Sequence, residues 1–301
     1  MSLENNLKNK FRENLNEKVK LSNYSWFNLG GNAEYFYKAN NKDDLVEFLT
    51  ETKKKKLKTI IIGAGSNTLF RDNGVKGAVI KLGQSFSYLK LIEKDIIEVG
   101  AATLDRKTAN FARDNNLGGL EFLSCIPGSI GGAIIMNSGC YDSDISKVLI
   151  SIKAIDKNRL TEIEIKKKDI EFSYRGTNLS SDLIITSVKL KGSISTKEKI
   201  EKKQTDLIER KKLSQPNQIK TCGSTFKNIN KDKKAWMLIK EAGCDKLSEG
   251  GAMISQKHCN FFVNNGNAKS SDIENLIKKV KKKVYEKTGV NLELEIKIIG
   301  E

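Results

Sequence analysis

A run of strand-forming residues, Lys58-Thr59-Ile60-Ile61-Ile62, leads straight into Gly63-Ala64-Gly65-Ser66-Asn67, and no helical pattern follows. That combination excludes the usual reading of a glycine-rich turn after a strand. The dinucleotide fingerprint of a doubly wound parallel sheet needs a third glycine, a helix opening on the turn and an acidic residue about 20 positions on. All three are missing. The two glycines still offer backbone without Cβ atoms, which a phosphate can approach closely, and Ser66 and Asn67 add side-chain donors. About 60 residues further on comes a richer stretch, Pro127-Gly128-Ser129-Ile130-Gly131-Gly132-Ala133, followed by Met136-Asn137-Ser138-Gly139. Taken alone it reads equally as a tight turn or as a nest of N–H groups for a diphosphate. As a pair, the two loops read as walls around one extended, doubly charged cofactor.

The surrounding pattern mixes elements without strict alternation, which points to an α+β fold. Helices are expected over 43–55, 104–115, 195–212 and 233–242, and strands over 58–62, 77–81, 96–99, 148–156, 160–165, 183–190, 252–254, 261–263 and 292–299. A last helix carries Ile273, Leu276, Ile277, Val280 and Val284 on one stripe, with the lysines of 278–283 opposite. Ser271 and Glu274 have capping-box spacing at its start. The opening residues, about 1–20, read as a polar extension.

The chain of 301 residues has room for about two domains and carries a formal charge of +16. Such a field favours anionic partners. The lysine runs lack the interleaved aromatic residues of a stacking platform, so they read as solvated faces and phosphorylated small molecules fit better than nucleic acid. Five cysteines without CxxC pairing suggest neither zinc nor a disulfide framework. No apolar leader or span is evident, and a cytoplasmic location without membrane insertion is expected.

Six motifs in order carry a family resemblance: Ser25-Trp26-Phe27-Asn28-Leu29-Gly30-Gly31-Asn32-Ala33, GAGSNTL, PGSIGGA with MNSG, FSYRG, GSTFKN and the terminal LELEIKIIG. From about 25 to 300 the chain resembles the UDP-N-acetylenolpyruvoylglucosamine reductases, also called UDP-N-acetylmuramate dehydrogenases. The spacing between Arg175 and Ser224 is similar to that of the type II branch. The resemblance implies a two-lobed FAD-binding portion of the vanillyl-alcohol-oxidase (PCMH) type over 21–192, with lobes of about 21–81 and 82–192. A substrate-binding α+β domain is implied over 193–301. It further implies non-covalent FAD against Gly63, Gly65, Ser66, Asn67, Leu69, Pro127, Gly128, Ser129, Gly131, Gly132 and Asn137, with NADPH as reductant and no metal.

The implied reaction moves a hydride to the terminal carbon of an enolpyruvyl ether on a UDP-amino sugar, then a proton to the neighbouring carbon. Negative charge develops on the adjacent carboxylate, so cations and an acid are needed. By family position Arg175 and Glu295 stabilise that charge and Ser224 delivers the proton. Lys212, Lys227 and Asn228 are implied for the phosphates, and a monomer is expected. Outside the resemblance, Arg175 reads as a surface ion pair, Glu295 as a solvated strand residue beside Glu293, and Ser224 as a turn residue. His258, the sole histidine, reads either as a structural hydrogen-bonding group near Asn260 or as a ligand contact. Thr177, Ile229 and Cys222 depart from the family's commonest residues without removing a catalytic group. The competing readings are a flavin oxidase on the same scaffold and a basic nucleic-acid-binding protein.

Overall fold

Buried β-branched strands and amphipathic helices form in the computed structural model where the sequence pattern places them, and the chain divides into two compact units. The structure describes residues 7, 9–230 and 232–301. The first unit comprises 1–17, 35–64 and 77–211, and the second 18–34, 65–76 and 212–301. These bounds differ from the linear division expected from the sequence. Helix Lys197–Ser214 belongs almost wholly to the first unit, and two early segments belong to the second.

The first unit holds two apolar clusters. One lies under a five-stranded antiparallel sheet ordered Thr161–Lys166, Leu149–Asp156, Leu183–Lys191, Ile96–Gly100, Leu89–Glu93. Ile97, Val99, Ile152, Val188 and Leu190 point from it into the core with Phe122 and Ile134. The other cluster gathers around helix Lys42–Lys54, whose Leu45, Phe48 and Leu49 are buried against Tyr37 and Ile80. Asn41 caps this helix by accepting from the Asp44 N–H at 2.9 Å. Tyr37 and Phe48 stack with centroids 3.7 Å apart. Leu7, Phe11 and Leu15 are buried in this cluster, so the opening segment, expected as a polar extension, contributes core. Leu7 is helical, Phe11 lies in a turn and Leu15 opens strand Leu15–Lys20, so no single period links the three; residues 1–6 and 8 lie outside the described residues.

The second unit is assembled from separated pieces. Strand Thr68–Phe70, just after the first glycine loop, pairs in parallel with Lys297–Ile299, Leu69 opposite Ile298. The closing strand is shorter than expected: 292–296 is not strand and is tied to Phe226 by a bridge at Leu294. Helix Ser270–Thr288 buries Ile273, Leu276, Ile277, Val280 and Val284, the apolar stripe read from the sequence. Its start is held differently from the expected Ser271–Glu274 box. The Asp272 carboxylate accepts from Lys269 N–H at 2.9 Å, and the Asp72 carboxylate accepts from the Ser270 and Ser271 N–H groups at 2.8 and 2.9 Å. Glu274 instead pairs with Arg71 at 3.0 Å. A carboxylate from a distant segment thus serves the orphan donors and the positive end of the helix.

Burial opposes ionisation of Asp72, but the backbone and side-chain hydrogen bonds from Ser271 and Ser270 outweigh it and hold its carboxyl below the ordinary value of 3.8. The stabilisation is therefore present above pH 3.8 and lost as the pH falls through the lower folded value. Asp72→Ala is expected to lower stability by about 1 kcal/mol, the usual loss of a helix cap. Urea denaturation at pH 7 should show the lowered midpoint, and the difference from the parent should shrink below about pH 4.

Candidate active site

In the first unit, strand Thr59–Ile62 pairs in parallel with Val75–Leu82 and delivers Gly63 at its end. A methyl group at Gly63 would lie 2.7 Å from Ser129 Oγ, so the two glycine-rich stretches meet here. Lys81, partly buried, donates from Nζ to the Gly63 carbonyl at 2.8 Å; burial, then the charge of Lys38, lower its pKa. The second stretch turns into a short helix, Ile130–Ile135. Its Ile130 and Gly131 N–H groups donate to the carbonyls of Thr103 and Ala101, both at 2.9 Å. The nest is therefore smaller than its glycine count suggests. Gly132 lies on the Ser129 side, a methyl there being 3.7 Å from Ser129 Oγ. Pro127 precedes the turn and Gly128 faces Asp105, whose Oδ2 would be 2.5 Å from a Cβ at that position. Asp105 is fully buried, and burial pushes its pKa well above the carboxylate range.

Asn137, buried with φ +40°, uses its amide on the protein. Nδ2 donates to the Ser173 carbonyl at 3.1 Å, and Oδ1 accepts from Ser146 N–H at 3.0 Å. It thereby braces the hairpin Phe172–Ser173/Gly176–Thr177, whose turn is Tyr174-Arg175. Arg175 has φ +61° and its guanidinium lies 4.8 Å from the centre of the Tyr174 ring. A non-glycine residue held in this region stores roughly 1–3 kcal/mol of strain, a frequent mark of functional positions.

The second unit holds the remaining part of the first loop. Gly65, at φ +72°, is packed so closely on Tyr24 that any Cβ would overlap the Tyr24 carbonyl. Its own carbonyl accepts from Trp26 N–H at 3.1 Å and lies 3.6 Å from Cys222 Sγ. Ser25 donates to the Thr68 carbonyl at 2.6 Å and lies 3.8 Å from the same sulfur. Three motifs distant in sequence therefore converge at Cys222. Ser66 is followed by Asn67, whose Nδ2 donates to the Glu295 carbonyl at 3.0 Å. Leu69 is fully buried in the core and sits opposite Ile298 in the parallel strand pair, so the structure does not expose it to a ligand.

The segment 222–227 is held from two sides. On one, Thr225 N–H donates to the Asn260 carbonyl at 2.8 Å, and the Asn260 amide both accepts from Phe226 N–H at 3.0 Å and donates to the Phe226 carbonyl at 2.8 Å. On the other, Glu295 N–H donates to Thr225 O and Lys227 N–H to Glu293 O, both at 2.9 Å. Glu295 is thus opposite Thr225, and Ser224 is one residue off that pair. Thr225 is fully buried with no partner for its hydroxyl among the described residues. Ser224 is partly exposed beside Gly223, which has φ +80° and open space where a Cβ would stand.

The expected phosphate ligands are placed unequally. Lys227 pairs with the largely exposed Glu293 at 3.4 Å. Asn228 Oδ1 accepts from Ala235 N–H at 3.1 Å at the start of helix Ala235–Glu241. Lys212 is exposed, its carbonyl accepting from Lys257 Nζ at 2.6 Å. His258 Nδ1 accepts from Asn260 N–H at 3.2 Å, and its ring lies edge-on to Phe261 at 4.8 Å. Burial lowers its pKa, against a weaker opposing backbone hydrogen bond, and keeps it neutral at pH 7. Lys81 and Asp105 went unread in the sequence, where Asn260 figures only as a neighbour of His258, a contact the structure contains; the one available signal was a charged residue inside an otherwise apolar run at Lys81.

The glycine cradle at Gly63 and Ser129 fits a flavin dinucleotide. A domain model described as an FAD binding domain matches residues 33–159, and one described as UDP-N-acetylenolpyruvoylglucosamine reductase, C-terminal domain, matches 215–299. Fold and site together define a flavin-dependent oxidoreductase with a mixed α/β architecture. The chain is 45% identical over 293 residues to the UDP-N-acetylenolpyruvoylglucosamine reductase of Pelagibacter ubique, covering 97% of this chain and 96% of that one. It is 44% identical to that of Orientia tsutsugamushi strain Ikeda, over 93% of each. The crystal structure of the enzyme from Thermus caldophilus superposes with a TM-score of 0.81 at 31% identity, over 94% of this chain and 98% of that one. The chain belongs to the UDP-N-acetylenolpyruvoylglucosamine reductase family. Among the described residues no helix is long and apolar enough to cross a membrane.

Gly63→Ala is expected to lower FAD retention through gel filtration by at least tenfold, because the new methyl meets Ser129 Oγ. Adding Ser129→Ala removes that hydroxyl and should restore part of the bound flavin absorbance near 450 nm.

Proposed function

We propose that the chain reduces the enolpyruvyl ether of a UDP-N-acetylglucosamine derivative to the corresponding lactyl ether, UDP-N-acetylmuramate, for peptidoglycan precursor synthesis in the cytoplasm. Bound FAD would supply the hydride for the terminal carbon of the enolpyruvyl group, with NADPH as the reductant. Gly63, Gly65, Ser66 and Asn67 serve it from one loop, with Leu69 packed behind them in the core, and Pro127, Gly128, Ser129, Gly131 and Gly132 from the other. Asn137 acts at one remove, through the Arg175 hairpin.

The observation that supports the residue roles is the pairing of 225–227 with 293–295, which sets Glu295 opposite Thr225, the neighbour of Ser224. Charge that moves toward the substrate carboxylate needs a fixed cation, and the guanidinium of Arg175 offers a planar fork matched to a carboxylate. Glu295 shares stabilisation of the enol form by hydrogen bonding. Ser224 places its hydroxyl proton at the carbon next to the ether oxygen; the open space at Gly223 lets substrate approach it. A serine hydroxyl is a weak acid, so its contribution depends on position, which Asn260 fixes by three hydrogen bonds along 225–226. Lys212 and Lys227 supply charge for the diphosphate. Asn228 supports Lys227 from the start of the next helix. The enzyme acts as a monomer.

Anaerobic stopped-flow absorbance near 450 nm tests the reading on one sample. NADPH should bleach the flavin and the UDP-sugar enolpyruvate should restore it. In Ser224→Ala the bleaching should persist while recolouring by the sugar slows by ~10²–10⁴, the usual worth of a positioned general acid. Recolouring by oxygen alone in the parent protein would establish the oxidase reading instead, and unimpaired turnover in the variant would remove Ser224 from the mechanism.

A further inference from the structure

The first unit contains two thiols that the reductase chemistry does not use. Cys125 closes the one-turn helix Glu121–Cys125, immediately before Ile126 and the second glycine loop. Cys140 lies just after that loop, in the hairpin Gly139–Cys140/Ser143–Asp144. Cys140 Sγ donates to the Phe122 carbonyl at 3.3 Å, which seats it on the turn that carries Cys125. The two thiols are within hydrogen-bonding reach of each other, and both are in the reduced form. Cys125 is buried, at 6% exposure, while Cys140 is partly exposed and opens the pair to small solutes.

The charges around the pair come from two further elements. Lys211, near the end of helix Lys197–Ser214, donates from Nζ to the Cys125 carbonyl at 2.5 Å. Its ammonium interacts with both sulfurs, and Arg175 acts on Cys140. One turn position earlier, Arg210 lies 4.5 Å from the centre of the Tyr141 ring and holds the hairpin tip to the same helix. Ser124 Oγ, which donates to the Glu121 carbonyl at 2.6 Å, is 3.9 Å from Cys125 Sγ. Contact with Cys140, then with Ser124, and the charge of Lys211 outweigh burial and bring the Cys125 thiol down to about 7. The same contact with Cys125, followed by burial, pushes Cys140 up. The pair is therefore asymmetric: one sulfur is disposed to be a thiolate near neutral pH and the other to remain a thiol.

We infer that Cys125 and Cys140, set against Lys211, form a peroxide-oxidisable dithiol site whose disulfide ties together the two ends of the 126–139 loop. The chemistry uses a hydroperoxide as the oxidant. The Cys125 thiolate attacks the distal peroxide oxygen, the O–O bond breaks, and an S–O bond forms to give a sulfenic acid and a hydroxide or alkoxide, which takes up a proton. Cys140, losing its proton, attacks the sulfenic sulfur; an S–S bond forms and the hydroxyl leaves as water. Two electrons pass from the thiol pair to the peroxide, and an external thiol returns them.

The test is made on the FAD-loaded protein with hydrogen peroxide at pH 7.5, followed by alkylation and peptide mapping. The expected product is a Cys125–Cys140 linked peptide, abolished by dithiothreitol, with Cys222, Cys244 and Cys259 still alkylatable. In Cys140→Ser the disulfide should be absent and dimedone should label Cys125. Lys211→Met should slow oxidation of the pair several-fold, and lowering the pH from 8 to 6 in the parent should slow it about tenfold. The inference is overturned if Cys125 and Cys140 remain as alkylatable as Cys244 and Cys259 after peroxide, or if the cross-link joins another pair. The readout comes from peptides and needs no turnover, so its outcome is independent of the reductase reading.

Discussion

The pairing of Thr68–Phe70 with Lys297–Ile299 is the constraint on which the second unit depends. Three pieces separated by long stretches of the first unit have to share one core, and hydrogen bonds between their backbones are what make that core continuous. Closing so long a loop adds only slowly with its length, since each doubling contributes about 0.6 kcal/mol. A short parallel pair reinforced by the buried Leu69 and by the Asp72 and Arg71 contacts to helix Ser270–Thr288 therefore suffices. The same arrangement sets the glycine turn at Gly65, the Ser25 hydroxyl and Cys222 against one another, and so it also fixes the start of the segment that carries Ser224.

Much of the architecture was legible because burial imposes a period on sequence. The strands around Ile97 and Val188, the helix with Leu45, Phe48 and Leu49, and the apolar stripe from Ile273 to Val284 all announced themselves in this way. The opening segment was not legible, because Leu7, Phe11 and Leu15 fall in a helical stretch, a turn and the start of a strand, so no one period links them. Capping by Asp72 was equally invisible, since the carboxylate comes from nearly two hundred residues away while the local Ser271–Glu274 spacing suggested another answer.

For the site, the glycine turns and the order of motifs were readable, but the work done by individual polar side chains was not. Asn137 and Asn228 both matched family positions, yet each side chain is engaged by protein backbone, one bracing the Arg175 hairpin and the other starting a helix. Sequence position identifies such residues without distinguishing a ligand contact from the support behind it. Lys227 is different. Its partner Glu293 is largely exposed, and exposed ion pairs contribute only about 0–1 kcal/mol, so exchange of that carboxylate for a phosphate meets little resistance. The pair keeps the ammonium in place without committing it.

The order in which the chain is synthesised gives the terminal strand a further significance. Thr68–Phe70 leaves the ribosome early, while the strand beside which it lies is made more than two hundred residues later. At ~5–20 residues per second the interval is on the order of ten seconds or longer. Throughout that time the early strand has one edge without its final neighbour, and the apolar Leu69 and Phe70 are without their final surroundings. The last step in folding the second unit accordingly waits for residues 297–299, whatever the first unit has already achieved, and the newborn chain passes through a stage in which it offers an open strand edge to chaperones or to its own copies.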